Sequence, residues 1–182
     1  MSIDDSVWEF FQQHLGYTDA EMQKFKEDPR NEHILSKAGE LMNKTIVIEV
    51  VDSQGCNSQH KLGDKFYLDG AGNLISKLCP KRMCAFAVSS FGQAVFGLHE
   101  LFYAGADPNQ MHFKRFGCTD VGIQCGGWGK IVMEIRMEER TYRSEIRGPK
   151  SAKAFAPWRE RLNSFPLCLH ASAPFLTLRQ FD

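Results

Sequence analysis

The chain carries no net charge: over its 182 residues, Lys plus Arg and Asp plus Glu stand at 22 each. No global field therefore points it toward nucleic acid or an acidic membrane surface. No apolar run approaches the roughly 18 residues a bilayer-spanning helix needs. The first residues are acidic and polar, without the charged-then-apolar order of a secretory leader, so a reducing, cytoplasmic setting is expected. Internal repeats and low-complexity tracts are absent, which excludes solenoid and linker architectures. Familiar catalytic signatures are missing as well. There is no CxxC pair, and His99-Glu100 has no second histidine at zincin spacing. The glycine-rich stretch 122–129 lacks the strand–glycine–helix order of a phosphate loop. No Ser-His-Asp order can be defended.

What is present is an ordinary globular composition, 43% hydrophobic and 24% charged, in a chain long enough for one domain with appendages. The charge is unevenly placed: residues 1–44 are net acidic, 45–137 nearly neutral and 138–182 net basic. The acidic prefix reads as short helices. Val7, Phe10, Phe11 and Leu15 recur at helical spacing behind Asp4, and Gly16 can end the turn. Thr18 and Glu21 form a capping box, and Pro29 stops the helix that follows. A third helix is expected near 32–42. Trp8, Phe10 and Phe11 suit either docking on the main domain or homo-oligomer contact through these helices.

The period then changes. Residues 45–51 are β-branched and nearly continuous, as in a buried strand, and 65–68 form a second short strand before the Asp69-Gly70-Ala71-Gly72-Asn73 reversal, with 74–78 as its return limb. Over 83–103, Cys84, Val88, Phe91, Val95, Leu98 and Phe102 make one apolar stripe, so a single long central helix is expected. Strands at 111–116 and 130–136 complete an α+β fold, a small mostly antiparallel sheet packed on that helix. The expected divisions are a helical N-terminal extension (1–44), a cysteine-bearing core (45–137) and a loosely structured basic tail (138–182). With only a modest positive balance and no aromatic–glycine motif, the tail is read as solvated rather than RNA-binding.

The sharpest chemistry lies in the cysteines. Five of six fall between Cys56 and Cys125. In a reducing compartment such thiols are buried, catalytic or metal-bound. Cys56 and His60 stand four apart on a loop, a spacing that can wrap one ion. Cys79 and Cys84 bridge a turn before the central helix. Cys118 and Cys125 flank a polar turn that opens into Gly126-Gly127-Trp128-Gly129. Soft thiolates with an imidazole select zinc, ferrous iron or iron–sulfur units. Cys84 also begins a helix beside Lys81 and Arg82, where dipole and charge favour a thiolate nucleophile. His99 reads as a satisfied core histidine, His112 as a reserve ligand, and Asp120 and Glu134 as acid–base candidates without a placed pocket.

The run Cys56-x3-His60-x2-Gly63-Asp64-x-Phe66, then Cys84-Ala85-x-Ala87, the Ala104-Gly105 helix end, and Cys125 ahead of Ile131-Val132-Met133-Glu134-Ile135 resembles a family of small conserved cysteine-containing proteins. Its members occur mostly in anaerobic bacteria and archaea. The resemblance covers about residues 45–137. It implies that Cys56, Cys84 and Cys125 are the recurring cysteines, with His60 in the accompanying motif. Cys118-Thr119-Asp120 looks like the family's Cys-Pro-Asp turn, so the third ligand is either Cys118 or Cys125. Three function classes follow. The first is a Cys/His metal-binding protein holding iron, zinc or an iron–sulfur cluster through Cys56, His60, Cys79, Cys84, Cys118 and Cys125. It would serve redox or lyase-type anaerobic metabolism on a small-molecule substrate or with a partner enzyme. The second is a thiol enzyme with Cys84 as nucleophile and Cys79 as resolving partner. The third is an accessory subunit with structural cysteines.

Overall fold

The computed structural model describes residues 3–140. The expectations for 141–182 lie outside the described residues. Three helices come first: α1 (Asp5–Leu15), α2 (Asp19–Lys26) and α3 (Pro29–Leu41). Their ends follow local chemistry. The Asp4 carboxylate accepts the Ser6 amide, and Gly16 closes α1 at φ 71°. Thr18 and Glu21 cap each other as their spacing predicts. Pro29 opens α3 instead of merely ending α2, because its fixed φ suits a first helical position, with Asp28 as the cap. Trp8, Phe11, Tyr17 and Phe25 cluster between α1 and α2. Leu41 joins the main core, and His33 Nε2 lies 2.6 Å from the Tyr103 carbonyl, so the prefix docks on the domain that follows.

That domain is a four-stranded antiparallel sheet in the order β2-β1-β4-β3, with β1 at Lys44–Gln54, β2 at Lys65–Asp69, β3 at Arg115–Gly117 and β4 at Lys130–Glu139. Side chains alternate across it. Ile46, Ile48, Val50, Phe66, Leu68, Ile131, Met133, Ile135 and Met137 face the core with Phe91, Leu98 and Phe102. Burying each large apolar side chain contributes about 1.5–3 kcal/mol. The opposite face carries an ion-pair ladder. Arg136 lies 2.8 Å from Glu49 and 2.5 Å from Glu138, and Arg115 lies 2.7 Å from Glu134. Glu134 is thus an ion-pair partner on the solvent side rather than an acid–base group in a pocket. Val50 continues the β1–β2 register by exchanging backbone bonds of 2.8 Å with Gly63 and Asp64, while on the other edge β1 bulges against β4 between Val50 and Asp52. That exchange brings the 56–64 loop back onto β1.

The mixed helix and antiparallel sheet agree with the α+β expectation, but four details differ. The single central helix is two: α4 (Ala85–Val88) and α5 (Phe91–Tyr103). The cause is the Phe86 carbonyl, which accepts from the Thr119 amide at 3.1 Å and from the Ser89 and Ser90 hydroxyls at 3.3 Å, while the Ser90 amide turns to Ala87. Serine hydroxyls and a distant amide have displaced one rung of the helical ladder. The apolar stripe survives the break, with Phe91, Leu98 and Phe102 buried and Cys84, Val88 and Val95 packed against them. The strand expected at 111–116 shortens to β3. The Asn109 amide pairs both backbone groups of Met137, at 2.9 and 3.0 Å, and so takes the place of a strand residue there. The return limb at 74–78 shrinks to one bridge, Leu68 with Leu74. Lastly, β4 continues to Glu139, which pairs with Lys44 at 2.5 Å.

Candidate cysteine site

Three loops meet at one end of the sheet: 55–64 after β1, the segment leading into α4, and 118–129 between β3 and β4. Two glycines set how closely they approach. A Cβ on Gly129 would stand 2.1 Å from the Gly55 carbonyl oxygen, and one on Gly127 would stand 2.2 Å from the Asp120 carboxylate. Only glycine lets the start of β4 lie against the end of β1 and against its own loop. Asp120 pins that loop. Its Oδ1 accepts the amides of Gly122 (3.0 Å) and Trp128 (3.1 Å), and its Oδ2 that of Gly129 (3.4 Å). The Gly122 amide first, then those of Gly129 and Trp128, holds the carboxyl below its ordinary range. Asp120 is therefore a loop organiser with both oxygens engaged, poorly placed for the acid–base role considered for it.

Between the loops is a cavity of about 500 Å3 lined by Cys56, Cys84, Cys118 and His60, with Asn57, Ser58 and Thr119 beside them. Three cysteines, the first and last 62 residues apart in sequence, thus line one space. All five described cysteines are free thiols. Cys118 is held firmly, its amide bonding the Ile131 carbonyl at 3.1 Å and its sulfur accepting the Ile131 amide at 3.4 Å. Cys84 caps α4. Its thiol lies below the ordinary cysteine value of 9.0, first because of the Ser58 hydroxyl and then the Ala87 and Phe86 amides, against burial and the Asp120 charge. Of the two expected causes, the helix start contributes through the Ala87 and Phe86 amides, whereas Lys81 and Arg82 do not, and both of those side chains are exposed.

His60 is buried, with its ring edge-on to Phe66. Ser53 donates to its carbonyl at 2.7 Å, and its Nδ1 lies 3.7 Å from the Asp64 carboxylate, whose Oδ2 accepts the Lys61 amide. Its Nε2 is buried without a hydrogen-bond partner. At 3.7 Å the Asp64 carboxylate is too far for a hydrogen bond to the ring, so it contributes only its charge near Nδ1.

The other candidates lie elsewhere. Cys79 closes the edge of β2, accepting the Tyr67 amide at 3.3 Å and donating to the Tyr67 carbonyl at 3.5 Å, and burial raises its thiol. It does not line the cavity. Cys125 ends an exposed turn of 3-10 helix, Ile123–Cys125, also outside the lining. His99 bonds the Gly70 carbonyl at 2.8 Å, as a satisfied histidine should. His112 is exposed, its ring edge-on to Phe113. Ser58, Asp64, Phe86 and Trp128 were not singled out by sequence reasoning. Ser58 and Asp64 do sit inside the Cys56–Phe66 motif, which was their only signal.

Among the described residues, no three His, Cys, Asp or Glu side chains already stand as a ready-made metal cage. None of the described helices is long and apolar enough to cross a membrane. No protein-family model, curated protein or solved structure matches the chain.

Proposed function

We propose that the protein is a small Cys/His metal-binding protein whose site is the cavity between the three loops. Cys56, Cys84, Cys118 and His60 supply the donors. The observation that carries this reading is the convergence of three free thiols and a buried imidazole with an unpartnered nitrogen on one cavity. The donors fit a soft or borderline ion: zinc, ferrous iron or an iron–sulfur unit. A bound ion would supply Lewis acidity or electron transfer to a redox or lyase-type reaction. The chain's own part is separable from that chemistry. Ser58 and the α4 amides favour the Cys84 thiolate, and the Ile131 backbone fixes Cys118. Among the described residues these donors do not stand as a group of three able to hold an ion, so binding requires them to move. Cys79 and Cys125 are not part of this set.

Metal analysis of protein purified without oxygen tests the reading. Close to one equivalent of iron or zinc, or a cluster, is expected. Cys56→Ser, Cys84→Ser and Cys118→Ser should each abolish retention, because oxygen replaces a soft thiolate poorly, whereas Cys79→Ser and Cys125→Ser should retain the metal. Retention by all three cavity variants removes these ligands.

A second reading is thiol chemistry at Cys84 alone, favoured by its lowered thiol. The resolving role first considered for Cys79 gains no support, since that thiol is committed to the Tyr67 backbone.

A further inference from the structure

Exposed apolar side chains gather where the three loops meet. Phe86, Val121 and Trp128 line the cysteine cavity, and Ile123 sits between the last two on the same loop. Phe86, Val121, Ile123 and Trp128 are 60%, 58%, 82% and 76% exposed, so each stands mostly in water. The Asp120 carboxylate holds their loop through three amides, so a fixed backbone presents three of the four. Large apolar groups left in water at one opening mark a surface that meets a partner.

The charge around them is mostly of one sign. Lys81 and Arg82 lead into Cys84, Lys61 follows His60, and Lys130 packs along Gly122, whose added Cβ would lie 3.5 Å from the lysine Cδ. All four cations are exposed and have no ion-pair partner among the described residues. On the sheet the cations are offset instead: Arg115, Arg136, Lys65 and Lys114 each pair with Glu49 or Glu134. The carboxylates on the loops are Asp64 and Asp120, both turned onto backbone amides. A chain of zero net charge thus carries one end that is both apolar and locally positive.

We propose that this end docks on an anionic lipid surface. Phe86, Val121, Ile123 and Trp128 enter the boundary between headgroups and acyl chains, and Lys61, Lys81, Arg82 and Lys130 lie against the lipid phosphates. Shallow apolar insertion and cationic attraction are two signals that add in peripheral binding. Tryptophan in particular is favoured at headgroup level. The apolar tips stand apart around an open cavity. Fluid acyl chains fit separate tips, whereas a protein partner needs a recess for each. Val121 and Ile123 have no ring on which a base could stack, which disfavours a nucleic acid. A second copy of the chain, meeting the first face to face, would set the cations against their like. The proposal goes beyond the metal reading and uses no bound ion.

Cosedimentation of the full-length protein with vesicles tests it, using phosphatidylcholine alone or mixed equally with phosphatidylglycerol. The anionic vesicles should bind at least tenfold more tightly. Salt at about 1 M, where the screening length falls to about 3 Å, should remove that difference. Trp128→Ala and Ile123→Ser, both at exposed positions and so tolerable to the fold, should each weaken binding to anionic vesicles about fivefold. Lys81→Gln and Arg82→Gln together should weaken it about twentyfold, at about fivefold for each cation. Phe113→Ala, at a position 81% exposed but outside the cavity lining, should bind as the parent does. Equal binding to both compositions, no sedimentation with either, or a Phe113→Ala loss as large as that of Trp128→Ala overturns the inference. A single-stranded oligonucleotide bound in preference to the vesicles, or a dimer that Trp128→Ala dissociates, also overturns it by giving the face to another partner.

Discussion

Replacing Gly129 with alanine probes the contact on which the site's assembly depends. The added Cβ would lie 2.1 Å from the Gly55 carbonyl oxygen, 2.3 Å from its carbon and 2.7 Å from the Gln54 oxygen. All three are backbone atoms, so no side chain can swing away. Relief requires the end of β1 and the start of β4 to part by about 1 Å to reach even a tight contact. Overpacking of this kind costs about 1–3 kcal/mol. The smaller entropy of the unfolded alanine chain offsets only about 0.4–1 kcal/mol of that. A net loss of about 1–2 kcal/mol is expected, together with displacement of the Cys56 loop from Cys118. Gly92 on α5 has nothing within 4 Å of its would-be Cβ and serves as the control. Gly92→Ala should gain about 0.5–1 kcal/mol from helix propensity. Urea unfolding of both variants gives the energies, and alkylation of Cys56 reports the loop. A Gly129→Ala protein as stable as the parent, with Cys56 equally protected, would refute the close approach.

Two further outcomes concern the site's electrostatics. Ser58→Ala should raise the Cys84 thiol back toward its ordinary value. Brief iodoacetamide labelling across a pH series should then show its midpoint moving upward, and an unmoved midpoint would remove Ser58 as the cause. Asp120 has a folded-state value below its unfolded one. Its contribution to holding the 120–129 loop is complete above the ordinary carboxyl value of 3.8 and is lost as pH falls through the depressed folded value. Hydrogen exchange at the Gly122, Trp128 and Gly129 amides should show protection at mildly acidic pH, and Asp120→Asn should weaken it there. Equal protection in the variant would mean that the loop is held by other contacts.

The parts of the fold legible in the sequence were those that neighbouring residues decide. Thr18 and Glu21 cap because they stand three apart, and the alternation of Ile131, Met133 and Ile135 needs only one buried face. The parts that were not legible depend on partners far along the chain. The central helix breaks because Thr119 takes the Phe86 carbonyl from 33 residues away, and no helical periodicity contains that bond. The strand at 111–116 is cut short because Asn109 meets Met137, 28 residues on. The site divides in the same way. Local spacing grouped Cys79 with Cys84, but spacing across a turn does not say which face each thiol takes. Cys79 went to the edge of β2 and Cys84 to the cavity. Cys56 and His60 both line the cavity, since they lie on one short loop whose end rejoins β1 at Val50.

The central claim is that the cavity thiols and His60 share one ion. X-ray absorption at the metal edge of anaerobically prepared protein tests it most directly. The expected spectrum has a sulfur shell together with a histidine contribution. The histidine contribution should vanish in His60→Ala, the sulfur shell should persist unchanged in Cys79→Ser, and Cys84→Ser should retain too little metal to give an edge. A first shell of light atoms only, or sulfur scattering untouched by Cys84→Ser, would contradict the claim.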